Sequence, residues 1–465
     1  MKENLLLRLR SGEKLNTRQQ VAMILQLSLP AIFAQLSSIV MQYIDASMVG
    51  QLGAQQSASI GLVSSSTWLF NGICNAAITG FSVQVAQRIG AGRDKDARSV
   101  MKQGFVVALG ISLLLCALGS GVSGKLPEWL GGNADICADA SRYFLIYALA
   151  LPFAQLNNIS AAMLQASGNM KTPSVLFVVM CLLDVVFNFF LIFPTRQFGG
   201  ITVFGADLGV SGASLGTALS HVVIALVMTL ILLVRSDSLH LRRKERLPMI
   251  GETLRNAAKI GIPVGIEQLI MSGAQVMGTR IVAPLGTVAI AANSFAITAE
   301  SLCYMPGYGI GNAATTLIGQ SIGAKRYDLT RRLGWLTTGL GMLVMGLAAV
   351  LMFIFAPFMI GIMTPDPSVV ELGAQVLRIA AFVEPFYAAS IVANGVFRGA
   401  GNTLVPSCLN FVSMWAVRLP LAAVLSVQYG LKGYWFAMCI ELFVRGVLFL
   451  LRLKSKKWMQ AGSKN

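Results

Sequence analysis

The segment Gln87-Arg88-Ile89-Gly90-Ala91-Gly92-Arg93 returns 233 residues later as Gln320-Ser321-Ile322-Gly323-Ala324-Lys325-Arg326. The same offset relates Pro30 to Pro263, Gln35 to Gln268, Leu52-Gly53 to Leu285-Gly286, and Pro152-Phe153 to Pro385-Phe386. It also relates Gly168-Asn169 and Pro173-Ser174 to Gly401-Asn402 and Pro406-Ser407. Hydrophobic bias generates chance matches among apolar residues. These matches fall on Gly, Pro, Gln, Asn and Arg, and so mark an internal duplication. Further on, Gly209-Val210-Ser211-Gly212 pairs with Gly430-Leu431-Lys432-Gly433 at an offset of 221. The first half therefore carries about twelve extra residues, placed most simply in the Gly-rich 194–208 connection.

What is duplicated follows from composition. Of 465 residues, 55% are hydrophobic and 12% charged, with mean hydropathy +0.69. Ordinary soluble domains carry about 25% charged residues, and this composition would leave more apolar surface than water tolerates. With about 20 apolar residues per membrane span, apolar blocks predict twelve helices. They lie near 19–46, 54–85, 97–122, 138–166, 173–194, 209–234, 252–282, 287–320, 330–361, 369–397, 405–428 and 430–452. The first apolar block is too long for a secretory signal peptide and lacks a cleavage pattern.

The basic residues divide by side. Lys2, Arg8, Arg10, Lys14 and Arg18 precede span 1, and Arg88, Arg93, Lys95, Arg98 and Lys102 follow span 2. Arg235, Arg242, Arg243, Lys244, Arg246, Arg255 and Lys259 lie between spans 6 and 7. Lys325, Arg326, Arg331 and Arg332 follow span 8, and the carboxyl tail holds Arg452, Lys454, Lys456, Lys457 and Lys464. With Lys171 and Arg398, this side has 28 of the 36 Lys and Arg. By the positive-inside rule both termini are cytoplasmic, which requires an even number of spans.

The predicted fold class is thus an all-α integral membrane protein. Twelve transmembrane helices form two parallel six-helix lobes, related by a pseudo-two-fold axis along the membrane normal. Residues 1–234 make the first lobe, 235–259 a basic cytoplasmic linker, and 260–465 the second lobe with a basic tail. Transporters built this way bind substrate between the halves and alternate access by rocking them.

Other classes lack their chemistry. Net charge is +16, but the bases cluster at span ends, so no nucleic-acid partner is implied. No Walker-type GxxxxGK[ST] supports ATP, and no nucleophile elbow or HExxH supports an enzyme. The seven cysteines form no CxxC and read as apolar filler. His221 and His240 cannot make a metal site by themselves.

Ionisable groups within spans cost about 2.5–3.5 kcal/mol at the bilayer centre and call for an explanation. Asp45 sits near the outer end of span 1 and Asp184 in the middle of span 5, sharing a helical face with Asn188 four residues on. Thr217 lies about two turns into span 6. Two carboxylates, an amide oxygen and a hydroxyl can hold a proton between them, or coordinate dehydrated Na⁺, a hard cation. The alternatives are an interfacial helix-end residue for Asp45 and a buried acid satisfied by Asn188 for Asp184. Asn188 and Thr217 can equally serve interhelical hydrogen bonds.

The second half lacks this pair: Gly278 and Val417 stand opposite Asp45 and Asp184. It has Glu267, Glu300, Glu384 and Glu441 with Arg280, Arg378, Arg418 and Arg445, which can neutralise one another in pairs. Alternatively some of the acids line a cavity for cationic substrates. Gln35, Glu267, Glu300 and Glu384 are the candidates, with Glu267 and Glu384 favoured because Pro263 and Pro385 beside them suggest backbone breaks.

Several segments resemble signatures of the multidrug and toxic compound extrusion (MATE) transporters. These belong to the multidrug/oligosaccharidyl-lipid/polysaccharide flippase superfamily. The segments are Tyr43-Ile44-Asp45-Ala46-Ser47-Met48-Val49-Gly50-Gln51-Leu52-Gly53, Ile89-Gly90-Ala91-Gly92 and Phe397-Arg398-Gly399-Ala400-Gly401-Asn402-Thr403. The Asp184–Asn188 stretch running into Leu191-Ile192-Phe193, and Gly212-Ala213-Ser214-Leu215-Gly216-Thr217, are similar too.

The resemblance covers essentially the whole chain and implies export of organic cations in exchange for H⁺ or Na⁺. In similar members the cation site is in the first lobe, at positions matching Asp45, Asp184, Asn188 and Thr217. Some relatives carry the amide before the acid in span 5; here the order is Asp184 then Asn188. Members of a sodium-coupled branch use acids in spans 7 and 10, where this chain has Met271 and Tyr387.

The expected function is secondary active efflux of small amphipathic, cationic compounds against H⁺ or Na⁺. The protein would work as a monomer among the lipids of a bacterial inner membrane, with no cofactor beyond the coupling ion. The alternatives are a lipid-linked oligosaccharide flippase, which would need basic cavity residues for pyrophosphate, and a major-facilitator-type transporter, which Gly90-Ala91-Gly92-Arg93-Asp94 faintly suggests. A membrane enzyme would need a nucleophile or metal cluster.

Overall fold

The computed structural model describes residues 5–198, 201–240 and 251–459. Lys2, Lys464 and the basic positions Arg242, Arg243, Lys244 and Arg246 lie outside the described residues.

The chain folds almost wholly as helix. A short α1 (Leu5–Arg10) precedes α2 (Thr17–Gly50), α3 (Ala54–Gly90), α4 (Asp94–Val122) and a one-turn α5 (Leu126–Trp129). Then come α6 (Ala134–Ala166), α7 (Lys171–Ile192) and, beyond an antiparallel hairpin, α8 (Gly209–Arg235). The second half holds α9 (Gly251–Val282), α10 (Thr287–Gly323), α11 (Tyr327–Gly361), α12 (Pro367–Ala381) and α13 (Glu384–Gly399). It ends with α14 (Leu404–Val412), a π-helical stretch Ser413–Arg418 and α15 (Leu419–Lys454).

Among the described residues nine helices are long and apolar enough to cross a membrane, and α12 with α13 make a tenth span bent by 60°. The run from α14 into α15 is broken at Gly430 (φ 60°, ψ −140°) into two further arms, completing twelve. Every expected span is present, with ends displaced by a few residues.

The duplication is visible in the backbone. Gly53 and Gly286, Gly168 and Gly401, and Gly209 and Gly430 all take positive φ, each pair at its repeat offset. The fourth pair is unequal: Gly92 has φ 71°, whereas its counterpart Lys325 has φ 57° and carries a side chain there. That left-handed conformation costs an L-residue roughly 1–2 kcal/mol.

The extra residues of the first half are not loop. Strand β1 (Pro194–Phe198) pairs with β2 (Ile201–Ala206), with Pro194 opposite Ala206 and Arg196 opposite Val203. The spacing rule that places a span over 173–194 overruns here, since α7 stops at Ile192 and Phe193 is already extended.

Two compact units cluster in space. One comprises 37–85 and 94–261; in it α6 packs on α4 and α8, and α7 on α8. The other comprises 1–36, 86–93 and 262–465; in it α10 packs on α11 and α13, and α13 on α15. Its core is built of small and branched residues such as Ala292, Ala296, Val376 and Leu377 around the fully buried Trp435.

Candidate cation-binding site

Helix α7 carries two polar side chains on one face, and both are fully buried: Asp184 and Asn188 are each 0% exposed. Residues four apart on a helix stand one above the other, so the Asn188 amide reaches back to Asp184, its Nδ2 donating to Oδ2 at 3.1 Å. The same nitrogen donates to Asp45 Oδ1 on α2 at 2.8 Å. One amide thus bridges two carboxylates from helices 143 residues apart in sequence.

Thr217 on α8 completes the set. Its Oγ1 donates to the Ala213 carbonyl at 3.1 Å, one turn back, and it lies within side-chain range of Asp184. The four residues expected to meet do meet. The polarity of Asn188 differs from the expectation, because its nitrogen, not its oxygen, faces the acids.

Glycine 216 explains where that oxygen goes. A Cβ at this position would collide with Asn188 Oδ1, so the bare helix face is what lets α7 and α8 close around the amide. Gly212 does the same one turn earlier, where a Cβ would meet the Leu191 carbonyl at 2.5 Å. The segment Gly212–Thr217 carried a motif resemblance in the sequence, but nothing in it marked Gly216 as the wall behind Asn188. Ser214 Oγ, on the same helix, donates to the Tyr143 carbonyl at 3.0 Å and so ties α8 to α6.

Two buried oxygens remain without hydrogen-bond partners among the described residues: Asp184 Oδ1 and Asn188 Oδ1. Buried polar atoms in proteins are nearly always paired. Orphaned oxygens beside two carboxylates therefore fit a site that takes up a proton or a hard monovalent cation.

The second-half candidates sort differently. Glu267 on α9 is enclosed: Asn410 Nδ2 donates to it at 2.6 Å, Ser407 Oγ at 2.8 Å and Asn394 Nδ2 at 3.4 Å, and Arg398 Nη2 lies 3.6 Å away. The break expected at Pro263 is absent. Helix α9 continues through it, and Glu267 faces a cage of donors. The break at Pro385 is real and falls just before Glu384, where α12 and α13 meet.

Glu384 is fully buried, its carboxylate oxygens have no hydrogen-bond partner within bonding geometry among the described residues, and Glu300 and the Cys303 thiol are its polar neighbours. Gln35 is half-buried on α2, in the other compact unit from Asp45. Of the expected acid–base neutralisations, Glu441 with Arg445 forms, at 3.2 Å, and Ser413 Oγ donates to the same carboxylate oxygen at 2.6 Å. Arg378 instead donates to the Phe353 carbonyl at 3.3 Å, and Arg418 lies over the Tyr434 ring. The seven cysteines are all free thiols.

The MatE family model matches the chain twice, over residues 30–190 and 263–424, with starts separated by the repeat offset itself. The chain belongs to the MatE family. It is 28% identical over 440 residues to a probable multidrug resistance protein NorM of Thermotoga maritima, covering 94% of this chain and 92% of that one. It is 27% identical over 421 residues to an uncharacterized transporter, YisQ, of Bacillus subtilis, covering 90% of each.

The fold matches that of a MATE protein solved in complex with MaL6, with TM-score 0.89 and 20% identity over the whole of both chains. A mutant of the Vibrio cholerae MATE transporter VcmN gives TM-score 0.87 at 20% identity, over 94% of this chain and 97% of that one. MatE proteins are transporters rather than enzymes, and the twelve-helix fold of this chain is the MATE fold.

Proposed function

We propose that this MatE protein is a secondary multidrug exporter that exchanges small amphipathic organic cations for H⁺ or Na⁺ by alternating access. The observation that carries the reading is the Asp45–Asn188–Asp184 bridge with its two orphaned oxygens. It joins the buried face of α7 to a partly buried position on α2, in a family whose relatives include proteins named for multidrug resistance.

Cation uptake at this cluster changes what Asn188 must neutralise. With both acids charged, one amide nitrogen serves two carboxylates. With one of them neutralised, the bridge between α2 and α7 is relieved of like-charge repulsion and can rearrange. A cation that binds one conformation better than the other shifts the balance between them by that difference in affinity. Drug binding and cation loading are then mutually antagonistic, and the ion gradient drives export.

In this reading the lobes are 1–234 and 260–465, joined by the basic 235–259 linker. Both termini face the cytoplasm of a bacterial inner membrane by the positive-inside rule. The protein acts as a monomer in lipid and uses no ATP, nucleic acid or cofactor.

The test is ethidium efflux from proteoliposomes under an imposed proton gradient and, separately, a sodium gradient. Efflux driven by one gradient and abolished in Asp45→Asn supports the reading and names the ion. Folded protein with no efflux under either gradient overturns it in favour of lipid-linked oligosaccharide flipping.

A further inference from the structure

Between α4 and α6 the chain makes a tight fold at the end of a span. The one-turn α5 is closed by two backbone hydrogen bonds, from Gly131 N to the Glu128 carbonyl at 3.0 Å and from Gly132 N to the Pro127 carbonyl at 2.9 Å. Gly131 takes φ 81°, which a residue without a Cβ adopts freely. Gly132 is packed too closely for a side chain, since a Cβ there would lie 2.6 Å from the Leu62 side chain and 3.1 Å from Cys137 Sγ.

This fold walls an open cavity of about 650 Å³ lined by Glu128, Gly132, Cys137, Ala138, Ser141 and Arg142 among others. Cys137 and Ser141 are four apart on α6, as are Ala138 and Arg142, so α6 turns one continuous face to the cavity. Glu128 comes from α5 and Arg142 from α6, and both are exposed. Among the described residues neither side chain makes an ion pair or a hydrogen bond. One cavity thus offers a free carboxylate and a free guanidinium.

The surroundings fix what kind of molecule carries the matching charges. Trp129 and Leu130 follow Glu128 and are 67% and 39% exposed. Exposed tryptophan at the end of a span sits at the level of lipid headgroups. The chain crosses through α2, α3 and α4 before reaching this point, so the cavity opens on the face opposite the amino terminus.

We propose that this cavity binds the phosphoethanolamine headgroup of a membrane lipid. The Arg142 fork takes the phosphate, as guanidinium groups do, with the Ser141 hydroxyl beside it. The Glu128 carboxylate accepts the N–H groups of the primary ammonium. Trp129 and Leu130 lie against the apolar part of the lipid. A choline headgroup has no N–H to give Glu128, and a glycerol headgroup brings an anion with no cation to match that carboxylate. The site therefore selects phosphatidylethanolamine over phosphatidylcholine and phosphatidylglycerol.

The Cys137 thiol lines the cavity, donating to the Gly132 carbonyl at 3.4 Å, and is a native reporter of its occupancy. With the other six cysteines replaced, its maleimide labelling is timed in nanodiscs of phosphatidylcholine alone, or mixed equally with phosphatidylethanolamine or phosphatidylglycerol. We expect labelling about tenfold slower with phosphatidylethanolamine, as when the cavity is free only a tenth of the time, and little slowing with phosphatidylglycerol. Glu128→Gln and Arg142→Gln should each abolish this protection while labelling in phosphatidylcholine stays at the unsubstituted rate, which reports an intact fold. Glu128→Lys should transfer the protection to phosphatidylglycerol. A general effect of phosphatidylethanolamine on the bilayer would slow all these variants alike, and that result overturns the proposal, as does equal labelling in every lipid. Protection by soluble glycerophosphoethanolamine as strong as that by the lipid overturns the lipid assignment. Labelling needs neither drug nor ion gradient, so its outcome is independent of the transport reading.

Discussion

Asn188 Nδ2 lies 2.8 Å from Asp45 Oδ1, and this hydrogen bond joins the carboxyl-terminal half of α2 to the buried face of α7. Because the same nitrogen also holds Asp184, the amide links all the carboxylate chemistry of the site. Replacing it separates the role of the acids from the role of their connection.

Asn188→Leu keeps the branched shape at somewhat larger volume and removes the donor. Two carboxylates then lose a shared partner in a buried setting, at a cost of about 1–3 kcal/mol in stability. Cation-driven efflux falls about 10- to 100-fold, as when a supporting hydrogen-bond partner of an ion site is lost. Thermal unfolding in detergent and proteoliposome efflux check the two effects.

Gly216→Ala tests the same site from behind. Its methyl group collides with Asn188 Oδ1 and pushes the amide toward Asp45. Overpacking of this kind costs about 1–3 kcal/mol, and we expect a lower melting temperature together with impaired efflux. Gly121→Ala, where a Cβ meets nothing within 4 Å, is the matched control and should melt with the unsubstituted protein.

Glu267→Gln distinguishes a clamp from a substrate contact. The carboxylate is already enclosed by Asn394, Ser407, Asn410 and Arg398, so the amide should lower thermal stability while leaving the apparent KM for a cationic drug unchanged. A KM raised about tenfold, worth about 1.4 kcal/mol of binding, with stability intact would return Glu267 to the cavity.

Breaking Glu441 from Arg445 takes the ion-pair partner from a buried charge. The two are 0% and 5% exposed and 3.2 Å apart, and removing one partner of such a pair costs about 3–5 kcal/mol. Arg445→Met and Glu441→Gln should each lower the melting temperature markedly. The double variant should lose much less than the sum, since neither charge is then stranded.

Lys325→Gly should stabilise. Its counterpart Gly92 holds the same left-handed turn without a side chain. Relief of φ 57° at Lys325 is worth about 1 kcal/mol, measured as a higher melting temperature.

The architecture was legible because its causes are local or periodic. A bilayer demands about 20 apolar residues per span, and a duplication leaves its mark in Gly and Pro, the residues whose backbone roles cannot be exchanged. Gly53 and Gly286 share an offset in sequence and a positive φ in space for that one reason. The Asp184–Asn188 pair was legible too, since the two are four apart, and both acids were, since any charged group in lipid is conspicuous.

Tertiary structure alone decided the rest. Which end of the Asn188 amide meets the acids depends on Gly216 of a neighbouring helix, and no spacing rule carries that. Pro263 and Pro385 look alike in sequence, yet α9 continues through the first and the chain bends by 60° before the second. A proline removes one hydrogen bond and leaves the surrounding packing to choose between helix and break. Glu267 was visible as an acid in a span, but its donors come from positions 394, 398, 407 and 410, more than a hundred residues away. Sequence therefore determined which groups had to be inside the membrane. Only the packed helices determined which of them find hydrogen-bond partners there and which, among the described residues, do not.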